Sequence, residues 1–333
     1  MVQFEAVARS DGLQYVSPAV HGFNRSIALG KEKALQDILR LLTLWFKYGD
    51  IPEVGSAVSQ GISTIAIDLW LLVTPQLIAR IHAASLPVRT LVNKLLSRVA
   101  NEHPQGLIYP LTVAAKSALL PRKAAAERVL ADLRKRRDTL VEQAALVSHE
   151  LIRTSILWHE MWHTALEDAS RLYFSTHDIE GMLNTLEPLH AKMAEGAETA
   201  REASFLQAFG AELQQAHDHC NSFKKTNELT ELRAAWEVYT HAFRRIAKQI
   251  SKMGTLELQH VSPKLLDARE LELAVPGTYH VGAAVVCITA FAGAMTVITS
   301  KQRPRKLTIR GSDGADHLFL LKGHEDLRQD ERV

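Results

Sequence analysis

The sequence LWHEMWHTALEDASRLYF, residues 157–174, carries two apolar stripes where a bundle helix needs only one. At about 100° per residue, one stripe collects both tryptophans and the other lies a quarter turn away. Residues 229–246 repeat this division. One stripe predicts a packed core, and the other indicates either an exposed apolar groove or simply a wider core. The core stripe comprises Trp158, Trp162, Ala165, Ala169, Leu172, Leu232, Ala235, Tyr239 and Ile246, and the second stripe comprises Leu166, Ser170, Tyr173, Phe174, Arg233, Trp236, Thr240 and Phe243.

Both stretches lie in a region, residues 151–250, that predicts four helices joined by short connections. The second helix begins at Asp178, a residue type favoured at helix N-caps. The third begins near Thr199, and the fourth near Thr226 or Asn227. Because short connections place consecutive helices side by side, this region is predicted to form an antiparallel four-helix bundle.

The first 150 residues predict short amphipathic helices that Pro and Gly residues separate. Over residues 35–46, the apolar side chains fall on one stripe, and Gly49 and Pro52 end the helix. Helices of this kind cannot bury their apolar faces alone, so we expect them to stack as antiparallel pairs. The other helices predicted here cover residues 62–72, 88–99, 111–120 and 121–148.

The last third of the chain is rich in β-branched residues. Residues 281–300 contain no charged side chain and are long enough to span a bilayer, but Gly282 and Gly293 interrupt them. Their Val, Ile and Thr content favours two short buried strands, joined by a turn near Ala292 and Gly293. The sequence therefore predicts β-structure and no transmembrane span.

The C-terminal residues predict a β-hairpin followed by the start of a helix. Asp313-Gly314 is a favoured turn sequence, and it lies between the β-rich residues 306–310 and 317–322. Charge rises over residues 325–332, and the sequence ends at Val333 inside the predicted helix. A sheet that ends there is expected to be incomplete and to leave open edges.

Composition restricts the class of protein. Among the 333 residues, 47% are apolar and 23% are charged, which is typical of a globular protein. The formal net charge of +2 gives no reason to expect a nucleic acid or a membrane surface as the main partner. Cys220 and Cys287 are too few for a disulfide framework or a four-cysteine metal site.

One short motif suggests different chemistry. His159, Glu160 and His163 match the pattern H-E-x-x-H, which on a helix places two zinc ligands on one face beside a general base. The extended form of this motif has a glycine and a third histidine, but Leu166 and Ala169 stand at those positions. A zinc metallopeptidase therefore stays an alternative, and two ordinary bundle histidines are favoured, with no metal expected.

Several runs, taken together, resemble one family. LWHEMWHTALEDASRLYF (157–174), LEPLHAKM (186–193) and AAWEVYTHAFRRI (234–246) resemble the rapamycin-binding bundle of the target-of-rapamycin (TOR) kinases, serine/threonine kinases related to phosphatidylinositol 3-kinases. Residues 36–49, 75–81 and 103–118 resemble the end of the family's helical FAT region, and residues 256–279, 297–309 and 319–333 resemble the start of its kinase domain.

The resemblance covers nearly the whole chain in order and implies a mainly α fold. It implies an antiparallel helical-repeat scaffold followed by a four-helix bundle, with an incomplete β-rich kinase N-lobe at the C-terminus. The implied domains are FAT-like repeats over residues 1–150, an FRB-like rapamycin-binding bundle over 151–250, a linker and first N-lobe segment over 251–280, and the truncated N-lobe over 281–333.

The resemblance also implies a ligand groove on the bundle. In the family this groove binds rapamycin together with an immunophilin and is thought to recruit substrates. Ser175, Arg233 and Thr240 depart from the family pattern of glycine, threonine and tyrosine, so we expect weaker drug binding. Arg244 matches a position implicated in contact with phosphatidic acid, but an ordinary surface arginine is an equal alternative. The matching groove positions are Leu166, Ser170, Tyr173, Phe174, Arg233, Trp236, Glu237, Thr240 and Phe243.

For the C-terminal part, the resemblance implies one half of a nucleotide site. Lys322 matches the lysine that holds ATP phosphates in kinases, and Asp330 is its candidate carboxylate partner. Residues 297–303 match the loop that covers the phosphates, although they lack its usual glycines. The implied nucleotide-contact positions are Ser300, Gln302, Leu320, Lys322, Glu325 and Asp330.

The catalytic loop and the metal-binding D-F-G motif of kinases do not occur in this sequence. Phosphoryl transfer depends on these groups and on Mg²⁺, so we expect ATP and magnesium to serve the full-length parent and this chain alone to be inactive. The resemblance implies a fragment of a cytoplasmic kinase that attaches to endomembranes through TOR-complex partners. A stand-alone helical adaptor is the remaining alternative.

Overall fold

A computed structural model describes residues 13–30 and 34–323. They form two compact units, one of residues up to Ser148 together with Leu271–Cys287, the other of His149–Glu270 with the residues from Ile288 onward. The first unit is a stack of helices, and the second is a helical bundle with an antiparallel sheet. The predicted mainly α fold, with helical repeats, a bundle and a C-terminal β-rich part, is thus confirmed.

Short helices build the first unit, as the separated amphipathic stripes predict. A 3-10 helix, Ile67–Val73, lies between the third and fourth helices, and a further helix, α8 (Asp138–Ser155), runs out of this unit into the second. The helices are α1 (Val16–Leu29), α2 (Ala34–Tyr48), α3 (Pro52–Thr64), α4 (Thr74–Ala79), α5 (Leu86–Glu102), α6 (Pro104–Ala115) and α7 (Leu120–Arg134).

The structure divides two helices that the sequence analysis predicted as continuous. Residues 62–72 are not one helix, because α3 ends at Thr64, where the hydroxyls of Ser63 and Thr64 donate to carbonyls one turn back and Ile65 is extended. Residues 121–148 are not one helix either, because the chain turns at Lys135 and Arg136. In a continuous helix the like charges of Arg134 and Arg137 would lie one turn apart, which disfavours a helix there.

Residues 271–287 fold back onto α6 within the first unit. The side-chain amide of Gln105 donates to the Glu272 carbonyl at 2.7 Å and its oxygen accepts from the Ala274 amide at 2.9 Å. The Tyr109 hydroxyl donates to the Ala274 carbonyl at 2.5 Å, and burial raises the pKa of this phenol. Side chains of α6 therefore satisfy backbone groups far along the chain.

Four helices form the bundle of the second unit, as predicted. They are α9 (Trp158–Phe174), α10 (Ile179–Ala194), α11 (Ala200–Thr226) and α12 (Leu229–Ile250). The Asp178 carboxylate accepts from the Gly181 amide at 2.8 Å, which confirms the predicted N-cap of α10. Large side chains of the predicted core stripe, such as Trp162 and Tyr239, are buried in one hydrophobic cluster with Phe205 and Phe209 of α11.

The sheet lies in the same unit as the bundle. β4 (Arg305–Gly311) pairs with β5 (Asp316–Leu321), and the predicted Asp-Gly hairpin turn between them is confirmed, with Gly314 at φ 78°. All described pairs are antiparallel. The remaining elements are β1 (Thr255–Glu257), the short helices α13 (Leu258–Val261) and α14 (Pro263–Asp267), β2 (Ile288–Phe291) and β3 (Ala294–Val297).

The two strands predicted within residues 281–300 are present, but the turn between them is wrong. β2 and β3 both pair antiparallel with β4 and run in the same direction as each other. Phe291 of β2 is opposite Ile309, and Thr296 of β3 is opposite Lys306. At the interruption, the Gly293 carbonyl accepts from the Leu258 amide at 2.8 Å. The glycine thus breaks one long strand to bind α13 and does not reverse the chain.

No single helix among residues 13–30 and 34–323 is long and apolar enough to cross a membrane, and only α3 with the segment Ile67–Ala79, bent by 116°, meets that length and composition as a pair. The predicted C-terminal helix over residues 325–332 lies outside the described residues.

Candidate functional site

An aromatic cluster joins the end of α9 to α12. The ring of Trp236 lies 5.5 Å from that of Tyr173 and 5.2 Å from that of Phe174, measured between centroids. Tyr173 and Phe174 meet edge to face at 4.8 Å. Phe174 is 58% exposed, whereas Trp236 is 6% exposed. The cluster therefore presents one large apolar side chain to solvent, supported by a buried indole.

A second aromatic contact extends this surface along the two helices. His163 of α9 stacks on Phe243 of α12 with ring centroids 4.5 Å apart. Both side chains are partly buried, as is Ser170 between the two contacts in sequence. We call the surface formed by Ser170, Tyr173, Phe174, Trp236 and Phe243 the aromatic face.

The other predicted groove residues fall into two sets. Leu166 is 2% exposed and belongs to the bundle core, so the second stripe of α9 is partly a wider core. Arg233, Glu237 and Thr240 are exposed on α12. The structure thus brings aromatic side chains of the two predicted stripes together, and the assignment of individual residues to ligand contact stays a prediction.

The indole of Trp236 has one unusual feature. Its Nε1 is buried and has no hydrogen-bond partner in the part of the chain that the structure describes. A buried donor without a partner costs about 1–3 kcal/mol, so native proteins usually satisfy it. A ligand carbonyl or ether oxygen bound at the aromatic face could accept from this group.

The H-E-x-x-H residues have separate partners. His159 is 3% exposed, hydrogen-bonds to the Gln249 side chain at 2.9 Å and packs edge-on against Phe205. Burial lowers the pKa of His159 to about 4. His163 stacks on Phe243, and Glu160 binds arginines. No three His, Cys, Asp or Glu side chains converge as a metal site within the described ranges.

Strand register brings two of the predicted nucleotide elements to the same end of the sheet. Val297 of β3 is opposite Arg305 of β4, which is opposite Leu321 of β5. The chain therefore leaves the sheet at the same end in both places: residues 298–304 follow β3, and Lys322 follows β5. Residues 297–303 are predicted to cover the phosphates, and this role stays a prediction. We call the connection between β3 and β4, residues 298–304, the nucleotide loop.

The nucleotide loop has internal hydrogen bonds. The Ile298 amide donates to the Pro304 carbonyl at 2.9 Å, and the Arg303 amide donates to the Ser300 hydroxyl at 3.1 Å. Gln302 is partly buried. Leu320, on β5, is 49% exposed.

Two of the predicted nucleotide positions, Glu325 and Asp330, lie outside the described residues.

Sequence reasoning missed a buried ion cluster between the bundle and the sheet. Glu160 is 4% exposed and Arg305 is completely buried, and their side chains form a close ion pair. Arg303 Nε lies 3.3 Å from a Glu160 oxygen, without the alignment of a hydrogen bond. The sequence did contain one signal of this burial. Side chains alternate between the two faces of a strand, so Arg305 lies on the same buried face as Leu307 and Ile309.

Comparison with known proteins assigns the family. The sequence model of the FKBP12-rapamycin binding domain matches residues 150–248, the HEAT repeats of ATR-like serine/threonine-protein kinases match 53–149, and the FAT domain matches 3–43. The serine/threonine-protein kinase TOR of Oryza sativa subsp. japonica is 56% identical over 325 residues, which cover 96% of this chain. This chain belongs to the TOR kinase family.

Other TOR kinases have similar sequence identity to this chain. The Arabidopsis thaliana kinase TOR is 55% identical over 96% of this chain, and the Saccharomyces cerevisiae kinase TOR2 is 50% identical over 96%. The chain spans about 13% of the length of these relatives. The open conformation of CtTel1 shares the fold, with a TM-score of 0.54 and 17% identity over 99% of this chain and 10% of that one.

Proposed function

We propose that the bundle is a ligand-binding module of a TOR serine/threonine kinase, which takes rapamycin with an immunophilin and recruits protein substrates through the aromatic face. The observation that carries the proposal is the cluster of Tyr173, Phe174 and Trp236, which keeps a phenylalanine exposed on a buried indole. Clustered, exposed aromatic side chains supply large apolar contact area with little loss of conformational entropy.

Polar features of the same face support a ligand that combines apolar area with a few oxygen atoms. The unpartnered Nε1 of Trp236 is a donor for one such oxygen. Ser170 is small and partly buried, so a ligand can approach the backbone of α9. Binding sites for small molecules commonly combine a mostly apolar lining with one or two polar groups of this kind.

The proposed drug affinity is low, for reasons of charge and area. Arg233 and Thr240 are exposed on α12, where the family pattern has threonine and tyrosine. The arginine adds a charge that must lose water when the ligand binds, and the threonine supplies less apolar area than a tyrosine. Ser175 ends α9 in a right-handed helical conformation that needs no glycine.

Titration of the chain with rapamycin and an immunophilin tests the proposal. Phe174→Ala should weaken ternary binding by about tenfold or more, because an exposed aromatic contact is lost. The matched control is Leu86→Ala, since Leu86 is 63% exposed at the beginning of α5, outside the bundle. Equal affinities of the Phe174 variant and the wild-type chain would contradict the proposal.

We further propose that the sheet supplies part of an ATP site. The nucleotide loop, which contains Ser300 and Gln302, lies at the same end of the sheet as Lys322. Their hydroxyl, amide and ammonium groups can donate hydrogen bonds to phosphate oxygens. Leu320 offers an exposed apolar contact on β5. When bound with magnesium in a complete kinase, ATP supplies the phosphoryl group to be transferred.

An acyl phosphate of ATP, which acylates amines beside its phosphates, tests this role on the chain. We expect weak labelling of Lys322 that excess ATP suppresses, since the catalytic loop and the metal-binding D-F-G motif that complete the site in kinases do not occur in this sequence. Labelling spread evenly over exposed lysines such as Lys116 and Lys248, and insensitive to ATP, would contradict it. No phosphoryl transfer by the chain alone is expected.

The family context supports three further expectations. TOR-complex subunits and protein substrates are the proposed macromolecular partners, and the proposed location is cytoplasmic with peripheral attachment to endomembranes through those partners. Arg244 is exposed on α12 and is the candidate contact for phosphatidic acid. Vesicles with and without phosphatidic acid, tested against Arg244→Gln, separate this contact from nonspecific charge.

A further inference from the structure

We infer that Glu160 is a positioning residue that anchors the nucleotide loop to the bundle. This inference rests on the proposed ATP role of that loop. Glu160 belongs to the first turn of α9, whereas Arg303 and Arg305 belong to the loop and to the strand that follows it. The carboxylate thus joins two elements that are more than 140 residues apart in sequence.

One carboxylate serves three groups. A Glu160 oxygen accepts from the Leu157 amide at 2.9 Å and thereby caps α9. The same oxygen pairs with Arg305, and the other lies 3.3 Å from Arg303 Nε. Arg305 in turn donates to the Arg303 carbonyl, so the two arginines are also linked directly.

Arg303 reaches a second helix of the bundle. Its Nη2 donates at 2.9 Å to the carbonyls of Ile250 and Met253, at the C-terminal end of α12. Cations interact favourably with the negative end of a helix dipole. Arg303 has φ 48°, a conformation that non-glycine residues rarely adopt, so this residue is held by its contacts. The loop therefore bridges the beginning of α9 and the end of α12.

The lysine side of the site is fixed to the same region. Gly323 follows Lys322, and a Cβ at Gly323 would lie 2.5 Å from the Ser155 carbonyl oxygen and 2.5 Å from a methylene carbon of Ile156. This close approach requires a glycine. The chain between α8 and α9 thus contacts one strand end through Gly323, and α9 contacts the nucleotide loop through Glu160.

Because its arginine partners are buried, the negative charge of Glu160 is needed to stabilise them. Arg305 is completely buried, and Arg303 has a side chain that is only 20% exposed. Removing the counter-charge would leave a buried guanidinium without compensation, which is strongly unfavourable. The expected response is a local release of the nucleotide loop, because Arg303 can reach water more readily than Arg305 can.

Hydrogen–deuterium exchange on the full chain tests the inference without nucleotide. Glu160→Gln keeps an acceptor for the cap but removes the charge, and it should raise exchange of residues 298–304 about tenfold or more. The matched control is Glu202→Gln, since Glu202 is a buried glutamate at the same position of the α11 capping box. This control should leave exchange of the loop unchanged.

Arg303→Gln, alone and combined with Glu160→Gln, separates anchoring from general destabilisation. Arg303→Gln leaves the Glu160–Arg305 pair in place and provides a milder change if Glu160→Gln fails to fold. Each single variant should raise the exchange rate of the loop by some factor. In the double variant the increase should be smaller than the product of the two single factors, because both substitutions remove the same contact. The inference is overturned if loop exchange does not respond to either variant, or if the bundle and the β4–β5 hairpin exchange faster by the same factor.

The outcome remains distinguishable from that of the ATP proposal. Loop exchange that responds to Glu160→Gln supports the anchor even if Lys322 is never labelled by the acyl phosphate. Labelling of Lys322 in a chain whose loop ignores Glu160→Gln would support the ATP site and overturn the anchor. If both hold, Glu160→Gln should also reduce labelling of Lys322.

Discussion

At the residue scale, the bundle core contains a polar group whose charge state matters. His190 is 5% exposed, stacks on His217 with ring centroids 4.1 Å apart, and hydrogen-bonds with the Tyr239 hydroxyl at 2.9 Å. Burial, and then the charge of nearby His217, lowers the pKa of His190 to about 3. Because burial outweighs the attraction of the nearby Glu187 and Asp218 carboxylates, the folded state keeps His190 neutral.

The buried histidines predict a loss of stability in mild acid. His159 and His190 have folded pKa values below the unfolded value of 6.5, so the unfolded state binds more protons as the pH falls below 6.5. Each group should reduce the free energy of unfolding by about 2 kcal/mol between pH 6.5 and pH 5. Urea unfolding at these two pH values measures the difference.

The variant His190→Gln isolates one of these terms. Glutamine can still hydrogen-bond to Tyr239 but does not titrate, so the pH-dependent loss should fall by roughly half. The carboxylates of Glu150 and Glu187 have pKa values lowered from 4.5. Their contribution to stability is therefore lost only as the pH falls below about 4.5, outside this pH window. An unchanged difference between pH 6.5 and pH 5 in the variant would rule out His190 as a source.

Some site residues could be predicted from the sequence, and others could not. The face analysis found Tyr173, Phe174 and Trp236 because helical periodicity alone places them on neighbouring stripes. It could not decide how deeply each is buried, since burial depends on the tilt of α9 against α12. For Glu160 the sequence offered only the disfavoured metal motif, because its partners in the structure, Arg303 and Arg305, are remote in sequence.

At the element scale, caps define where the bundle helices begin. The Thr199 hydroxyl accepts from the Glu202 amide, and the Glu202 carboxylate accepts from the Thr199 amide at 3.1 Å. This reciprocal pair satisfies two amides at the start of α11. The start of this helix near Thr199 was predictable from the sequence, because the capping residues are local.

Removing the cap should destabilise the second unit. Thr199→Ala leaves the first-turn amide of Glu202 without its acceptor and should lower the free energy of unfolding by about 1 kcal/mol. Chemical denaturation measures this value. The control is Thr164→Ala, an exposed position inside α9, where alanine should be neutral or slightly stabilising. Similar losses for the two variants would show that the cap contributes nothing.

Element boundaries that depend on distant contacts were not predictable in this way. Ala292 and Gly293 have the composition of a turn, but β2 and β3 continue along β4 because that strand offers partners on the same edge. The break between α7 and α8 is a local feature that was not predicted, since residues 121–148, with four consecutive basic residues, were predicted as one helix. The hairpin at Gly314 was predictable because its turn sequence is local.

At the scale of the whole molecule, the chain crosses from one unit to the other more than once. Residues 271–287 return to the first unit after the bundle is complete, and Gln105 of α6 binds two of their backbone groups. Part of this segment was predicted to belong to a linker and first N-lobe segment over residues 251–280, and the rest to the truncated N-lobe. Composition could not reveal its place, because the contacts with Glu272 and Ala274 span more than 160 residues.

Loss of these contacts should expose the returning segment. Gln105→Ala removes one donor and one acceptor, each worth about 1 kcal/mol, so residues 271–287 should become more sensitive to limited proteolysis. The matched control is Asn101→Ala, since the Asn101 amide only donates to the Ser97 carbonyl within its own helix. Equal cleavage in the two variants would contradict the role of Gln105.

The most direct test of the central claim, that α9 and α12 form a ligand surface, is a gain of affinity. Thr240→Tyr adds about 100 Å² of apolar area to the exposed side of α12 and should tighten ternary binding of rapamycin and an immunophilin by about tenfold. The control His241→Tyr adds the same group beside Glu212 of α11, away from the aromatic face. Calorimetric titration should show micromolar binding by the wild-type chain and tighter binding only by the Thr240 variant. Nanomolar binding by the wild-type chain would contradict the predicted weak affinity, and equal effects of the two tyrosines, or no binding by any of the three proteins, would contradict the ligand surface itself.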